Sequence, residues 1–477
     1  MTNWSYTVRI WSIRKRPYRK PYQLRWQVGT QPFSESFLTL GLAESRRAQF
    51  ITASREGEPW DVDSGLPKSM VQRAKDISWY QHARNYVEMK WDHSPASTRR
   101  NLAEAMATVT LALVKDTNGM ADHKAVRRAL YTWGFNVHRW KEEPPADVAS
   151  MLAWIERKSV PTSQLADRML VRRTLDACAR RLDGATSSGA VIARKRAIFH
   201  QAVGYAVEAE LLSENPVSTI KWKAPEKVDE EVDPEAVPNP EQAAGLLAAV
   251  RRQGQRGEHL QAFFGCIYYA AARPGEVVGL RLKDCDLPEQ GWGLLRLSES
   301  RARSGRAWTD SGEAHDRRGL KHRPRKTVRR VPIPPELVAM LRRHVDAYGV
   351  ADDGRLFRTA RGGMVQESGY GAVWALARES FLTREAERMR EESQQAYLAW
   401  VGDEQKLAKR AYDLRAAGVS AWLSAGVEPQ LVAQRAGHSV AVLFRVYAKF
   451  LKGGDDAANA KISARLNQHG AGGPASP

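Results

Sequence analysis

Cysteine is scarce in this chain. Three occur in 477 residues, Cys178, Cys266 and Cys285, far apart and odd in number. They form no disulfide framework and no cysteine-based metal site, and they fit free thiols in a reducing compartment. Long apolar runs are also missing, so no segment predicts a membrane span, and the start, MTNWSYTVRIW, lacks the apolar core of a secretory signal. A cytoplasmic protein is expected. No internal repeat is present. Acidic residues are missing where it matters most: the first thirty residues carry seven Lys or Arg and no Asp or Glu.

What is present is ordinary in bulk and unusual in charge. Hydrophobic residues make up 43% and charged residues 27%, as in folded proteins generally. The length exceeds what one core usually serves, so two or three domains are expected. The formal net charge is +19. Such an excess favours a polyanionic partner, and with a membrane disfavoured that partner is nucleic acid.

The basic start alternates like strands over Tyr6–Ile13 and Tyr22–Val28, with Phe33–Leu38 as a third strand and Ala43–Glu56 as a helix. A three-stranded sheet with one helix would set Arg9, Arg14, Lys15, Arg16, Arg19, Lys20 and Arg25 on a surface suited to DNA. The plainer reading is a charged edge that blocks strand pairing. Residues 71–223 read as all-helical: Val71–Trp91, Thr98–Val114, Ala121–Gly134, Asp147–Lys158, Leu165–Leu182 and Ala190–Leu212. On the last of these, Arg194, Lys195, Arg196 and His200 either grip phosphates or face solvent. The proline-rich acidic stretch Ala224–Pro240 reads as a linker. From Glu241 the pattern mixes helices with the short strands Leu294–Leu297 and Arg330–Ile333. Leu376–Arg410, Leu414–Leu423 and Gln430–Ala436 read as helices. The tail after Lys452 has the composition of a disordered segment.

The stretch AGHSVAVLFRVYAKF places His438 nine residues before Tyr447. A tyrosine there is either a packed aromatic or a nucleophile for phosphoryl transfer. A phenol attacking a phosphodiester needs arginines to hold the non-bridging oxygens, a partner for its own proton, and an acid for the leaving oxygen. The chain offers Arg273 in AARPGEVVGL, Arg415 in AYDLRAAGVS, and Lys321 or Lys326 in the basic turn RGLKHRPRKTVRRVPIP. Glu276 is placed either to orient Arg273 or to serve as an ordinary helix-terminal acid.

These motifs, in this order, resemble those of the tyrosine recombinases of the phage integrase family, most closely integrases of actinobacterial phages and integrative elements. ARPGE resembles the first arginine box, YDLRAAGVSAWLSAGV the second, and AGHSVAVLFRVYA its continuation; 142 residues separate Arg273 from Arg415. Two positions depart from the family pattern. Tyr412 stands where a histidine is usual, three residues before the second arginine. Ala416 stands where many members have another histidine.

The resemblance implies a multidomain fold: a small α+β arm-type DNA-binding domain (1–65), an all-α core-binding domain (71–223), a linker (224–240), a mixed α+β catalytic domain (241–452) and a tail (453–477). It implies a site-specific recombinase that integrates, and can excise, a mobile element such as a phage genome. Arg273, Arg415 and His438 would cradle the scissile phosphate. Tyr447 would form a 3′-phosphotyrosyl link, and Lys321, or Lys326 in its place, would protonate the leaving oxygen. No metal or other cofactor is implied. The implied partners are double-stranded attachment sites, a homotetramer on DNA, an excisionase and a host DNA-bending protein, in a bacterial cytoplasm at the nucleoid. Two alternatives stand beside it: a type IB topoisomerase-like enzyme, and a catalytically silent DNA-binding protein.

Overall fold

The computed structural model describes residues 3–225, 232–320, 327–395, 397, 406–447 and 463, with the side chains of 72–75 left aside. The chain divides into two compact units, residues 1–228 and 229–477. No helix among the described residues is long and apolar enough to cross a membrane.

The first unit begins with a small antiparallel sheet built on Tyr22–Val28. Gln31–Phe37 pairs with one edge of that strand, while Val8–Ile10 and Arg14–Lys15 follow one another along the other edge. The expected first strand is therefore present in two pieces, broken at 11–13. Alternation sorts the faces: Leu24, Trp26 and Val28 are buried, while Gln23, Arg25 and Gln27 between them are half-buried. Helix Leu40–Arg55, capped by Thr39 (Oγ1 accepting from Leu42 N–H, 3.3 Å), covers the apolar face with Phe50 and Ala53. Phe50 meets Trp26 and Trp60 edge-on, at 4.8 and 5.0 Å between ring centres.

The helical part of this unit runs from Lys68. Pattern reading predicts one helix over Val71–Trp91, and the structure has two, Lys68–Lys75 and Trp79–Trp91. Ser78 caps the second by accepting from Gln81 N–H (3.0 Å), and Ile77 O accepts from Thr162 N–H (2.9 Å). The break is thus held by tertiary contacts. Helices Ala96–Ala112, His123–Ala129, Ala146–Lys158, Arg168–Ala179 and Gly189–Glu208 follow, around a core that includes Trp79, Tyr86, Phe135 and Phe199.

The second unit is mixed α+β. Asn239 and Gln242 form a reciprocal capping box (2.9 Å each way) that starts helix Pro240–Arg251. Helix Gln255–Tyr269 lies in the core beside it. Strands Arg329–Ile333, Gly293–Leu297 and Cys285–Asp286 form an antiparallel sheet in that order, and Glu299–Arg303 pairs with His315–Gly319 as a separate ribbon. Helix Glu367–Glu392 starts earlier and ends earlier than the expected Leu376–Arg410. Helices Asp413–Ser424, Pro429–Ala436 and Val440–Tyr447 carry the end of the described chain.

The end of the acidic stretch is engaged within this second unit. Val232 N–H donates to Val446 O (2.9 Å), and Ala236 O accepts from Ala408 N–H (3.0 Å). Lys406 pairs with Glu235 (2.7 Å) and Asp233 (3.5 Å).

Candidate active site

Four separate segments of the second unit bring the candidate residues together. Helix Gln255–Tyr269 ends at a backbone reversal where Ala271 takes φ +43°, a region that side chains other than glycine rarely adopt. The turn leads into Arg273, which precedes the short helix Pro274–Val278. Proline at the first helical position sets this start. Glu276, in the first turn, accepts from the backbone N–H of Arg273 at 2.8 Å and from its Nη1 at 3.0 Å. The Arg273 side chain is 21% exposed and Glu276 is buried. The carboxylate therefore fixes the guanidinium from below and leaves its outer edge open.

Arg415 enters from helix Asp413–Ser424, whose first turn is held by Asp413 accepting from Arg410 N–H (2.9 Å). It is fully buried. Its Nη1 donates to Ala271 O, the carbonyl of the reversed residue, and its Nη2 donates to Ala436 O at 2.6 Å and to His438 Nε2 at 2.8 Å. Because arginine can only donate, His438 Nε2 accepts, and the imidazole proton sits on Nδ1. Nδ1 and the Nε of Arg415 are buried with no partner among the described residues.

Helix Pro429–Ala436 stops at Gly437, which takes the left-handed conformation (φ +71°) and delivers His438 to the cluster. Gly437 O accepts from Arg273 Nη2 at 3.0 Å. The His438 ring stacks on Tyr447 at 5.9 Å between centres, with 23° between planes. Tyr447 itself is only 3% exposed. Tyr412 stands at the exposed rim, close enough for its hydroxyl to bear electrostatically on both Arg415 and Tyr447.

The electrostatics follow from burial and cation density. Burial, reinforced by Arg415, Arg273 and Arg329, pushes His438 down to about 3, so its ring is neutral at physiological pH. Burial pushes Tyr447 up to about 12, against the pull of Arg415. Burial also works to raise Glu276, but Arg329, Arg273 and Arg415 more than offset it and hold it below the ordinary carboxylate range. Among the described residues no three His, Cys, Asp or Glu side chains group as a metal site.

Arg273, Arg415, His438 and Tyr447 thus lie in one cluster, with Tyr412 beside it. Lys321 and Lys326 lie outside the described residues. Arg9, Arg14, Lys15, Arg16, Arg19 and Lys20 are exposed on the first unit and Arg25 is half-buried. Arg9 and Arg25 flank the Trp11 ring at 5.7 and 5.4 Å. On helix Gly189–Glu208 one expectation needs correction. Lys195 is not a surface cation: it is 5% exposed and 3.9 Å from Glu104. Arg194, half-buried, also faces Glu104 (3.7 Å), and Arg196 is half-buried.

Sequence reading missed Arg329. It is 2% exposed, and donates through Nη2 to Glu276 (2.6 Å) and through Nη1 to Ala436 O (2.8 Å). The signal was its register. In strand Arg329–Ile333, Val331 and Ile333 face inward, so position 329 faces inward too.

Solved structures similar to this chain include integrases and site-specific recombinases. The chain is similar to tyrosine recombinases. The Tn1549 transposon integrase in complex with a circular intermediate DNA shares 15% identity, over 68% of this chain and 96% of that one, with a TM-score of 0.46. The XerH recombinase bound to palindromic difH substrate shares 13%, over 77% and 96%, with a TM-score of 0.41. A lambda integrase dimer bound to a COC′ core site shares 10%, over 92% and 94%, with a TM-score of 0.42. No family model and no curated protein matches the chain.

Proposed function

We propose that the second unit is the catalytic part of a site-specific DNA recombinase and that Tyr447 is its nucleophile. The observation that carries this reading is the hydrogen bond from Arg415 to His438, with Tyr447 stacked on the same imidazole and Arg273 tied to the carbonyl between helix and histidine. Two arginines and a neutral imidazole facing one phenol form a receptor for a phosphodiester.

Arg273 offers its exposed edge to one non-bridging oxygen, and Arg415 Nε with His438 Nδ1 supplies further donors. Tyr447 Oη then attacks phosphorus. The Oη–P bond forms and the P–O5′ bond breaks. A 3′-phosphotyrosyl link and a free 5′-hydroxyl result, with Lys321 or Lys326 giving the proton to the leaving oxygen and the phenol proton passing to a base. The 5′-hydroxyl of a partner strand reverses these bonds, so the phosphate ester energy is conserved and no nucleotide is consumed. With a pKa near 12, Tyr447 remains protonated until that step. Buried as it is, it must also be uncovered before DNA can reach it. Tyr412, where the family pattern has histidine, stands at the exposed rim and acts as a hydrogen-bond donor to the phosphate.

In the same reading residues 1–65 bind arm-type DNA through the exposed Arg14, Lys15, Arg16, Arg19 and Lys20 together with Arg9 and Arg25. Residues 71–223 bind the core site, and 241–452 carry catalysis. The element is mobile DNA. A tetramer, an excisionase and a host bending protein complete the assembly, in the bacterial cytoplasm.

The test is a pool of nicked duplexes of random sequence, in which loss of a short leaving strand traps covalent adducts for sequencing. Wild type should form adducts and Tyr447→Phe none. No wild-type adduct, or equal adduct from Tyr447→Phe, would overturn the reading. Replacing the leaving O5′ by sulfur in a recovered site identifies the acid, since a thiolate leaves without a proton. The lysine whose alanine variant is rescued by sulfur is the acid. Relaxation of a plasmid lacking that site would favour the topoisomerase reading instead.

A further inference from the structure

Arg329 is built into this site in a way that packing does not require. Its guanidinium lies between two carriers of the reacting groups. One is Glu276, which holds Arg273 by backbone and side chain. The other is Ala436 O, the helix-end carbonyl that also accepts from Arg415 and that leads, through Gly437, into His438. At 2% exposure Arg329 has no surface to offer DNA. Resting on the reading of Tyr447 as nucleophile, we propose that Arg329 is a positioning residue: it sets the distance between the Arg273 edge and the His438 ring by clamping Glu276 to the end of helix Pro429–Ala436.

The balance of charge supports the clamp. Arg273, Arg329 and Arg415 surround a single buried carboxylate. Without Arg329, Glu276 would answer chiefly to Arg273, drawing that guanidinium inward and cancelling the charge meant for the phosphate. Arg329 shares the carboxylate, so Glu276 is not left to neutralise Arg273 alone. Only a planar fork does this, because one Nη must face the carboxylate oxygen and the other the carbonyl. Gly437 is cut to the same shape. A Cβ there would collide with Arg329 Nη1, so the helix end can approach the guanidinium only as glycine.

The experiment is single-turnover adduct formation at saturating DNA, on a nicked site recovered from the random pool, with wild type, Arg329→Lys and Arg329→Met. Amplitude reports the folded, competent fraction; the rate constant reports how that fraction is arranged. Both variants should lower the rate constant about tenfold or more while DNA affinity stays within about threefold, because misplaced catalytic groups slow chemistry while the DNA-facing surface is unchanged. Arg329→Lys keeps the charge and tests the fork even if Arg329→Met fails to fold. An unchanged rate constant in Arg329→Lys, with or without reduced amplitude, would overturn the positioning role while leaving Tyr447 as nucleophile. Absence of adduct from wild type would overturn the nucleophile reading and this role with it.

Discussion

Gly418 lies against the carbonyl of Tyr268 with no room for a side chain: a Cβ at Gly418 would overlap that oxygen. The close approach lets helix Asp413–Ser424 settle onto the end of helix Gln255–Tyr269. Arg415, almost one turn earlier, thereby reaches Ala271 O. Gly418→Ala should therefore push the two helices apart. Overpacking of this kind costs about 1–3 kcal/mol. Denaturant unfolding should register that loss, and adduct formation should fall by more than the lost folded fraction, because Arg415 moves with its helix.

Gly437 and Gly362 have nearly equal φ, +71° and +75°, but of the two only Gly437 has a neighbour in the way. Alanine at either carries the left-handed penalty of about 1–2 kcal/mol. Gly437→Ala should cost measurably more than Gly362→Ala in unfolding free energy, the difference being the collision with Arg329.

Acid should loosen the second unit in part through His438. Its folded pKa, about 3, lies below the unfolded value near 6.5, so the unfolded chain takes up the proton more readily. The associated stability is complete above pH 6.5 and is lost as pH falls toward 3. Urea midpoints at pH 7.5 and 4.5 should draw closer together in His438→Gln than in wild type. A remaining drop is expected, since burial also lowers His259, His315 and His344.

Lys195→Met should leave stability within about 1 kcal/mol of wild type or raise it. Replacing a buried cation by a side chain of similar length removes its desolvation cost. Its partner Glu104 keeps Arg127 and Arg194, each at 3.7 Å. Unchanged DNA affinity in the same variant would separate Lys195 from the phosphate-gripping role that its sequence context suggests.

Neutralising Arg14, Lys15, Arg16, Arg19 and Lys20 together should flatten the salt dependence of DNA binding. Each phosphate that is no longer neutralised reduces the slope of log K against log salt by about 0.9. A slope identical to wild type on long duplexes would mean that none of the five touches DNA.

How far the sequence revealed this arrangement depended on whether a residue announces its surroundings. Arg273, Arg415, His438 and Tyr447 sit in apolar or small-residue stretches where a polar group needs a reason. Arg329 sits in RKTVRR, where one more cation looks like solvated surface, and only the inward register of Val331 and Ile333 betrays it. Lys195 misled in the opposite sense, since a triplet of basic residues hid the one that turns inward. The helix break before Trp79 was illegible for a third reason. It depends on residues 162 and 163, where Thr162 N–H donates to Ile77 O and Ser163 hydroxyl to Asp76 (2.6 Å). No local pattern carries such an interaction.

The hydrogen bond from Val232 to Val446 ties the residue before Tyr447 to a point more than two hundred residues earlier in the chain. An excursion that carries the backbone at Val446 away from this position must release that amide. The Val232 N–H is thus a built-in clock for the nucleophile: its hydrogen-exchange rate counts how often the Tyr447 helix lets go, in the absence of any DNA.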